Sequence, residues 1–146
     1  MNPSQVLRTV LDRVIRFGCR HPRRLFLIDG LGALVSAAML GVVLVRLESV
    51  FGVPPRMLLV LAIFPVFFAV YDFACFLLDP RSPGRLLRPI GLANLSYVVI
   101  GMILMVRHSD FIMLPGWIYL VSEMLIVAAL GFAELQVSRQ LTSGRR

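Results

Sequence analysis

Charge is scarce in this 146-residue chain: 16% of its residues are charged and 58% are hydrophobic. A soluble domain carries about 25% charged residues. A chain this apolar could not hide its surface in water, which argues against a soluble globular class. Lysine is absent, and all fifteen cationic residues are arginine, as expected of a GC-rich genome. Cysteine is limited to Cys19 and Cys75, and histidine to His21 and His108. Two cysteines build no disulfide framework, and without a Cys-x-x-Cys pair or a histidine cluster the chain offers no metal site. No Gly-rich loop opens a helix as a phosphate cradle would. Arg8, Asp12, Arg13 and Arg16 interrupt the uninterrupted apolar core that a signal peptide requires. No internal repeat is visible.

Long apolar runs are present instead, four of them. The second is the organising one: residues 57–78 carry a single carboxylate, Asp72, and at a helical rise they span about 33 Å, enough for a hydrocarbon core of about 30 Å. The other spans are expected over about residues 25–45, 86–106 and 111–133. The predicted fold is an all-α integral membrane protein, a four-helix antiparallel bundle over residues 25–134. An amphipathic helix and basic turn (1–24) precede it, and a polar tail (135–146) follows, its last residues expected to be disordered. In the first segment Asn2 can cap and Pro3 suits the first helical position. Val6, Leu7, Val10, Leu11, Val14 and Ile15 form one apolar stripe, opposite Arg8, Asp12, Arg13 and Arg16. That pattern fits a helix lying in the membrane interface, or one that docks a partner. The turns are marked by His21-Pro22-Arg23-Arg24, by Pro54-Pro55, by Asp79-Pro80 with Pro83-Gly84, and by Arg107-His108-Ser109-Asp110. Pro65 is expected to kink the second span. Ala33, Ala37 and Gly41 recur every fourth residue, which lets a neighbour approach the first span closely.

Arginine placement sets an expected orientation. With the N-terminus inside, the inner segments hold Arg8, Arg13, Arg16, Arg20, Arg23, Arg24, Arg81, Arg85, Arg88, Arg139, Arg145 and Arg146. The outer segments hold only Arg46, Arg56 and Arg107, so the asymmetry is twelve to three. Cations stay in the cytoplasm. The expectation is therefore the inner membrane of a bacterium with both termini cytoplasmic. There Arg8, Arg13, Arg16, Arg23 and Arg24 would meet anionic lipid. The net charge of +7 is read as topology and lipid contact rather than nucleic-acid binding.

That orientation gathers the intramembrane polar residues in one leaflet. Asp29, Asp72, Asn94, Tyr97 and Glu123 form a candidate polar core, supported by Tyr71, Arg88, Tyr119 and Glu134. Glu123 and Glu134, eleven residues apart, share a helix face. Asp29 has Arg24 or Arg88 as a possible partner. A mid-span carboxylate costs roughly 2.5–3.5 kcal/mol on insertion. Ten or more apolar residues returning about 0.3–0.6 kcal/mol each outweigh it, so the presence of these residues alone does not establish a function. They serve either as a bonded core that fixes register or as a proton, cation or cationic-substrate site at Asp72 and Glu123.

Chemistry beyond that finds little support. His21 and His108 fall on opposite membrane faces, and His108-Ser109-Asp110 is a polar turn rather than a triad. Cys75 reads as inert packing. The run Phe64, Phe67, Phe68, Phe73 and Phe76 reads as lipid-facing or core filler, or as lining an apolar groove. In size and span count the chain resembles the small four-helix bacterial families, among them fluoride channels, small multidrug exporters and DoxX-like proteins. The resemblance rests on architecture and transfers no residue. The leading expectation is a non-enzymatic accessory or assembly subunit without a cofactor, working as a homo-oligomer or with a membrane-protein partner. A proton- or cation-coupled transporter and a lipid- or quinone-modifying enzyme are the alternatives.

Overall fold

The computed structural model describes residues 3–78 and 82–143, with the side chains of residues 3, 4, 7 and 11 left aside. Asn2, Asp79, Pro80, Arg81, Arg145 and Arg146, used above as cap, turn and topology charges, lie outside the described residues, as do the side chains of Leu7 and Leu11 in the apolar stripe. Helix α1 spans Pro3–Arg20, and α2 spans Pro22–Ala38 and continues through a π-helical turn, Met39–Leu44. A short α3 (Glu48–Phe51) leads to α4 (Pro55–Leu78), α5 (Pro83–Arg107) and α6 (Leu114–Ser143). Each long spanning helix starts on a proline in its first turn: Pro22, Pro55, Pro83 and Pro115. That position has no donor to lose and suits the fixed φ of the ring. Pro65 lies within α4 without ending it.

Four helices are long and apolar enough to cross a membrane. Their 23, 24, 25 and 30 residues correspond to about 35, 36, 38 and 45 Å at 1.5 Å per residue. Their outward faces are apolar (Val35, Phe67, Val70, Val99, Leu125 and Ile126 are all exposed), and in a bilayer lipid tails would cover them. The chain is thus a small multi-pass membrane protein, an all-α bundle.

The bundle is two tight pairs, α2 with α4 and α5 with α6, joined by sparser contacts of α5 with α4 and α2. Small residues make the second pair tight. A Cβ on Gly91 would stand 3.0 Å from the Gly131 carbonyl, and one on Gly84 would stand 2.9 Å from Leu141 Cβ. At one end, the stretch between α3 and α4 is closed by the Met113 amide donating to the Phe51 carbonyl at 3.0 Å. Gly52, at φ +66°, makes that turn, and a Cβ there would collide with the Phe111 carbonyl. Leu40, Leu44, Leu58, Leu61, Met105 and Leu120 fill this half of the core. In the other half, Phe26, Leu25, Leu87 and Val137 make a second cluster.

One boundary differs from the sequence reading, and one packing contact was not foreseen by it. Helix α6 runs to Ser143, through most of the segment read as a polar tail, because Val137 and Ser138 are buried against its neighbours. Helix α1 packs on α6 and α2 through Ile15 and Gly18, with Gly18 seated against Val137 and Leu25. Val6 and Val10 of its apolar stripe, and Phe17 beyond it, remain exposed.

Candidate functional site

Asp29, Asp72, Asn94, Tyr97, Glu123 and Glu134 are all buried, at 6% exposure or less. Helix periodicity explains the selection. On α6, Glu123 and Glu134 lie about 20° apart around the axis, and on α2 Asp29 continues the inward line of Leu25, Phe26 and Ala33. The residues form two knots.

The first knot joins three helices through one amide. Asn94 Nδ2 donates to Asp29 Oδ2 at 3.2 Å and to Glu134 Oε2 at 3.0 Å. The carboxyls of Asp72 and Glu134 also face that of Asp29. An acid–acid contact of this kind becomes a hydrogen bond only when one member carries a proton. Close approach puts α4 into the knot: a Cβ on Gly30 would stand 3.1 Å from Asp72 Cβ. Gly131 does the same for α6, since its Cβ would stand 3.0 Å from Asn94 Cβ.

The second knot lies eleven residues, about three turns, before the first along α6. The Tyr97 hydroxyl donates to Glu123 Oε1 at 2.9 Å, and the Tyr119 and Ser36 hydroxyls flank the same carboxyl. The Tyr97 ring is held by Phe64 and Phe68, with centroids at 5.8 and 6.1 Å, so its hydroxyl is aimed by packing. A cavity of about 70 Å³ lies between the knots, lined by Asp29, Ser36, Asn94, Tyr97 and Glu123 together with apolar side chains of α2, α4 and α6. It has room for a few water-sized particles.

Among the described residues, four buried carboxyl oxygens have no hydrogen-bond partner: both of Asp72, Oε2 of Glu123 and Oε1 of Glu134. Buried polar atoms are paired in the great majority of cases. Three carboxyl groups share the first knot, and the Asn94 amide donates to two of them. In a dry interior an all-anionic form would be prohibitive, and a shared proton or a bound cation resolves it. Among the described residues no group of three or more His, Cys, Asp or Glu has the arrangement to hold a metal ion.

The remaining predicted residues lie elsewhere, for geometric reasons. The suggested pairing of Asp29 with Arg24 or Arg88 is not formed. Arg24 is five positions away, about 140° around α2, and is exposed. Arg88 is also exposed and lines a groove outside the α5–α6 pair. Tyr71 donates to the Leu86 carbonyl at 2.9 Å rather than to a carboxylate. Arg8, Arg13, Arg16, Arg23 and Arg24 are all exposed. Arg23 has a role that sequence reasoning missed: its Nε donates to the Phe76 carbonyl at 2.8 Å, and its guanidinium lies 4.8 Å from the Phe76 ring centroid. It thereby caps carbonyls in the last turn of α4, where a cation is favoured. Ser36 is likewise a site residue that hydropathy gave no reason to single out. Cys19 and Cys75 are free thiols, and burial pushes that of Cys19 upward from its ordinary range.

The chain matches no protein-family model, no curated protein and no solved structure.

Proposed function

We propose that this protein is a non-enzymatic accessory or assembly subunit of a bacterial cytoplasmic membrane, with both termini in the cytoplasm. The observation that carries this reading is the Asn94 bridge. One amide ties Asp29 of α2 to Glu134 of α6, and the Tyr97 hydroxyl is taken up by Glu123, so much of the buried polar set is bonded within the bundle. A buried network of this kind fixes helix register at some expense in stability. The opposite half of the core is apolar and gives an ion no polar path onward. An enzyme acting on lipids or quinones would need a side groove beside its acid. The lateral groove between α4 and α5 is lined by Phe67, Phe68, Tyr71, Pro89 and Ile90 and contains no carboxylate.

A second reading, a proton- or cation-coupled transporter, draws its support from the cavity of about 70 Å³ that touches both knots. Cysteine accessibility separates the two. Single cysteines at Asp29, Asp72, Asn94 and Glu123, in a background lacking Cys19 and Cys75, are challenged with a membrane-impermeant thiol reagent in inside-out vesicles. A sealed core predicts no labelling at any of the four positions while a cysteine at Arg139 labels fully. Labelling at Asp72 and Glu123 would overturn the accessory reading in favour of transport.

A further inference from the structure

A groove of about 500 Å³ runs along the outside of the α5–α6 pair, lined by Arg88, Leu92, Leu135, Ser138, Arg139 and Thr142. Its floor is closed by the tight approach of the two helices at Gly84 and Gly91. The hydroxyl protons on that floor are already committed. Ser138 Oγ donates to the Gly84 carbonyl at 2.6 Å, and Thr142 Oγ1 donates to the Ser138 carbonyl at 2.7 Å. The donors left for a ligand are the guanidinium groups of Arg88 and Arg139, both exposed.

The antiparallel register brings those two groups together. Gly84 lies against Ser138, and Gly91 against Gly131. Arg139 is therefore nearest the helix ends, with Arg88 and Leu135 about one turn deeper and Leu92 a further turn in. Helical side chains lean toward their own N-terminus. Arg88, in the first turns of α5, leans outward, whereas Arg139, in the last turns of α6, leans inward, so the two converge. The groove thus changes from cationic at its mouth to apolar below. A soluble anion would use only the mouth; a phospholipid uses both parts, with its phosphate forked by two guanidiniums and its acyl chain along Leu135 and Leu92.

We infer that this groove is a binding site for an anionic phospholipid, its phosphate held between Arg88 and Arg139. Two cations with no acidic side chain in the groove lining favour a headgroup whose charge is not cancelled by its own ammonium. The site is independent of what the buried knots do.

The test uses the full-length protein in detergent, titrated with phosphatidylglycerol, phosphatidylcholine and inorganic phosphate and followed by native mass spectrometry. The wild type is expected to bind phosphatidylglycerol in preference to phosphatidylcholine. The R88Q/R139Q double variant should bind it about thirtyfold more weakly, equivalent to about 2 kcal/mol for two interfacial arginines. Arg139→Gln alone, two turns or less from the end of α6, should lose about fivefold and serves if the double variant loses its helical circular dichroism. Arg107→Gln, at the other end of α5, should change nothing. Equal binding of the two lipids, or undiminished binding by R139Q, would overturn the inference. Displacement of phosphatidylglycerol by inorganic phosphate at matching concentration would also overturn it, by showing a site for soluble phosphate.

Discussion

Replacing Asn94 with alanine removes one amide and cuts two inter-helix hydrogen bonds, to Asp29 at 3.2 Å and to Glu134 at 3.0 Å. Hydrogen bonds between membrane helices are worth about 0.6 kcal/mol on average and up to about 1.7, which gives about 1–3.5 kcal/mol for the pair. Loss of the amide also strips partners from two buried carboxyl oxygens, which pushes the value up. Alanine's better helix propensity offsets up to about 0.7 kcal/mol. The expected loss is about 2 kcal/mol, close to a thirtyfold change in the unfolding equilibrium. The single tryptophan, Trp117, reports unfolding of the bundle as SDS replaces a mild detergent. Ser96→Ala is the matched control on the same helix. Its exposed hydroxyl bonds only its own helix, at the Leu92 carbonyl, so its effect should stay within about 0.5 kcal/mol. If N94A unfolds with S96A, the bridge carries no stability and the register argument fails. A cycle with Glu134→Leu sharpens the test, because two residues sharing a bond should cost less together than the sum of their separate losses.

Asp72 presents the opposite case. Its two oxygens are buried without partners, so Asp72→Asn, which adds donors beside Asp29, should stabilise the bundle by about 1 kcal/mol; a loss of that size in the same titration would refute the account. Two glycines give a paired prediction. Gly91→Ala drives a methyl toward the Gly131 carbonyl at 3.0 Å and should lose about 1–3 kcal/mol. Gly32→Ala meets nothing within 4 Å and should gain up to about 1 kcal/mol. Equal effects at both positions would refute the close-packing picture of α5 and α6.

The spans and their number were legible in the sequence because hydropathy and the 3.6-residue period act over whole helices. Glu123 and Glu134 could be placed on one face from spacing alone. Which residues meet across helices was not legible. The partner of Asp29 turned out to be an amide 65 positions away, since an interhelical contact depends on rotation about each axis and on which glycines let backbones close in. The π turn at Met39–Leu44 left no mark in hydropathy, because it changes backbone winding without changing which residue types are apolar. The end of α6 was read as a tail because Gln136, Arg139 and Gln140 are polar. The helix persists there because Val137 and Ser138, one stripe among them, are covered.

Helix α6 is about 45 Å long, some 15 Å more than a hydrocarbon core, and a single rigid rod therefore joins the membrane surface to the buried acids. Arg139 and Glu123 lie sixteen residues, or about 24 Å, apart along it. Treated as a lever, a tilt of about 5° at the projecting end displaces the far carboxyl by roughly 2 Å, and the hydrogen bonds along it tolerate only a few tenths of an ångström. Helix α1 grips the projecting arm at Val137 and the tyrosine hydroxyl waits at the other end. A pull on helix α1 is therefore, mechanically, a pull on the buried carboxyl groups of α6.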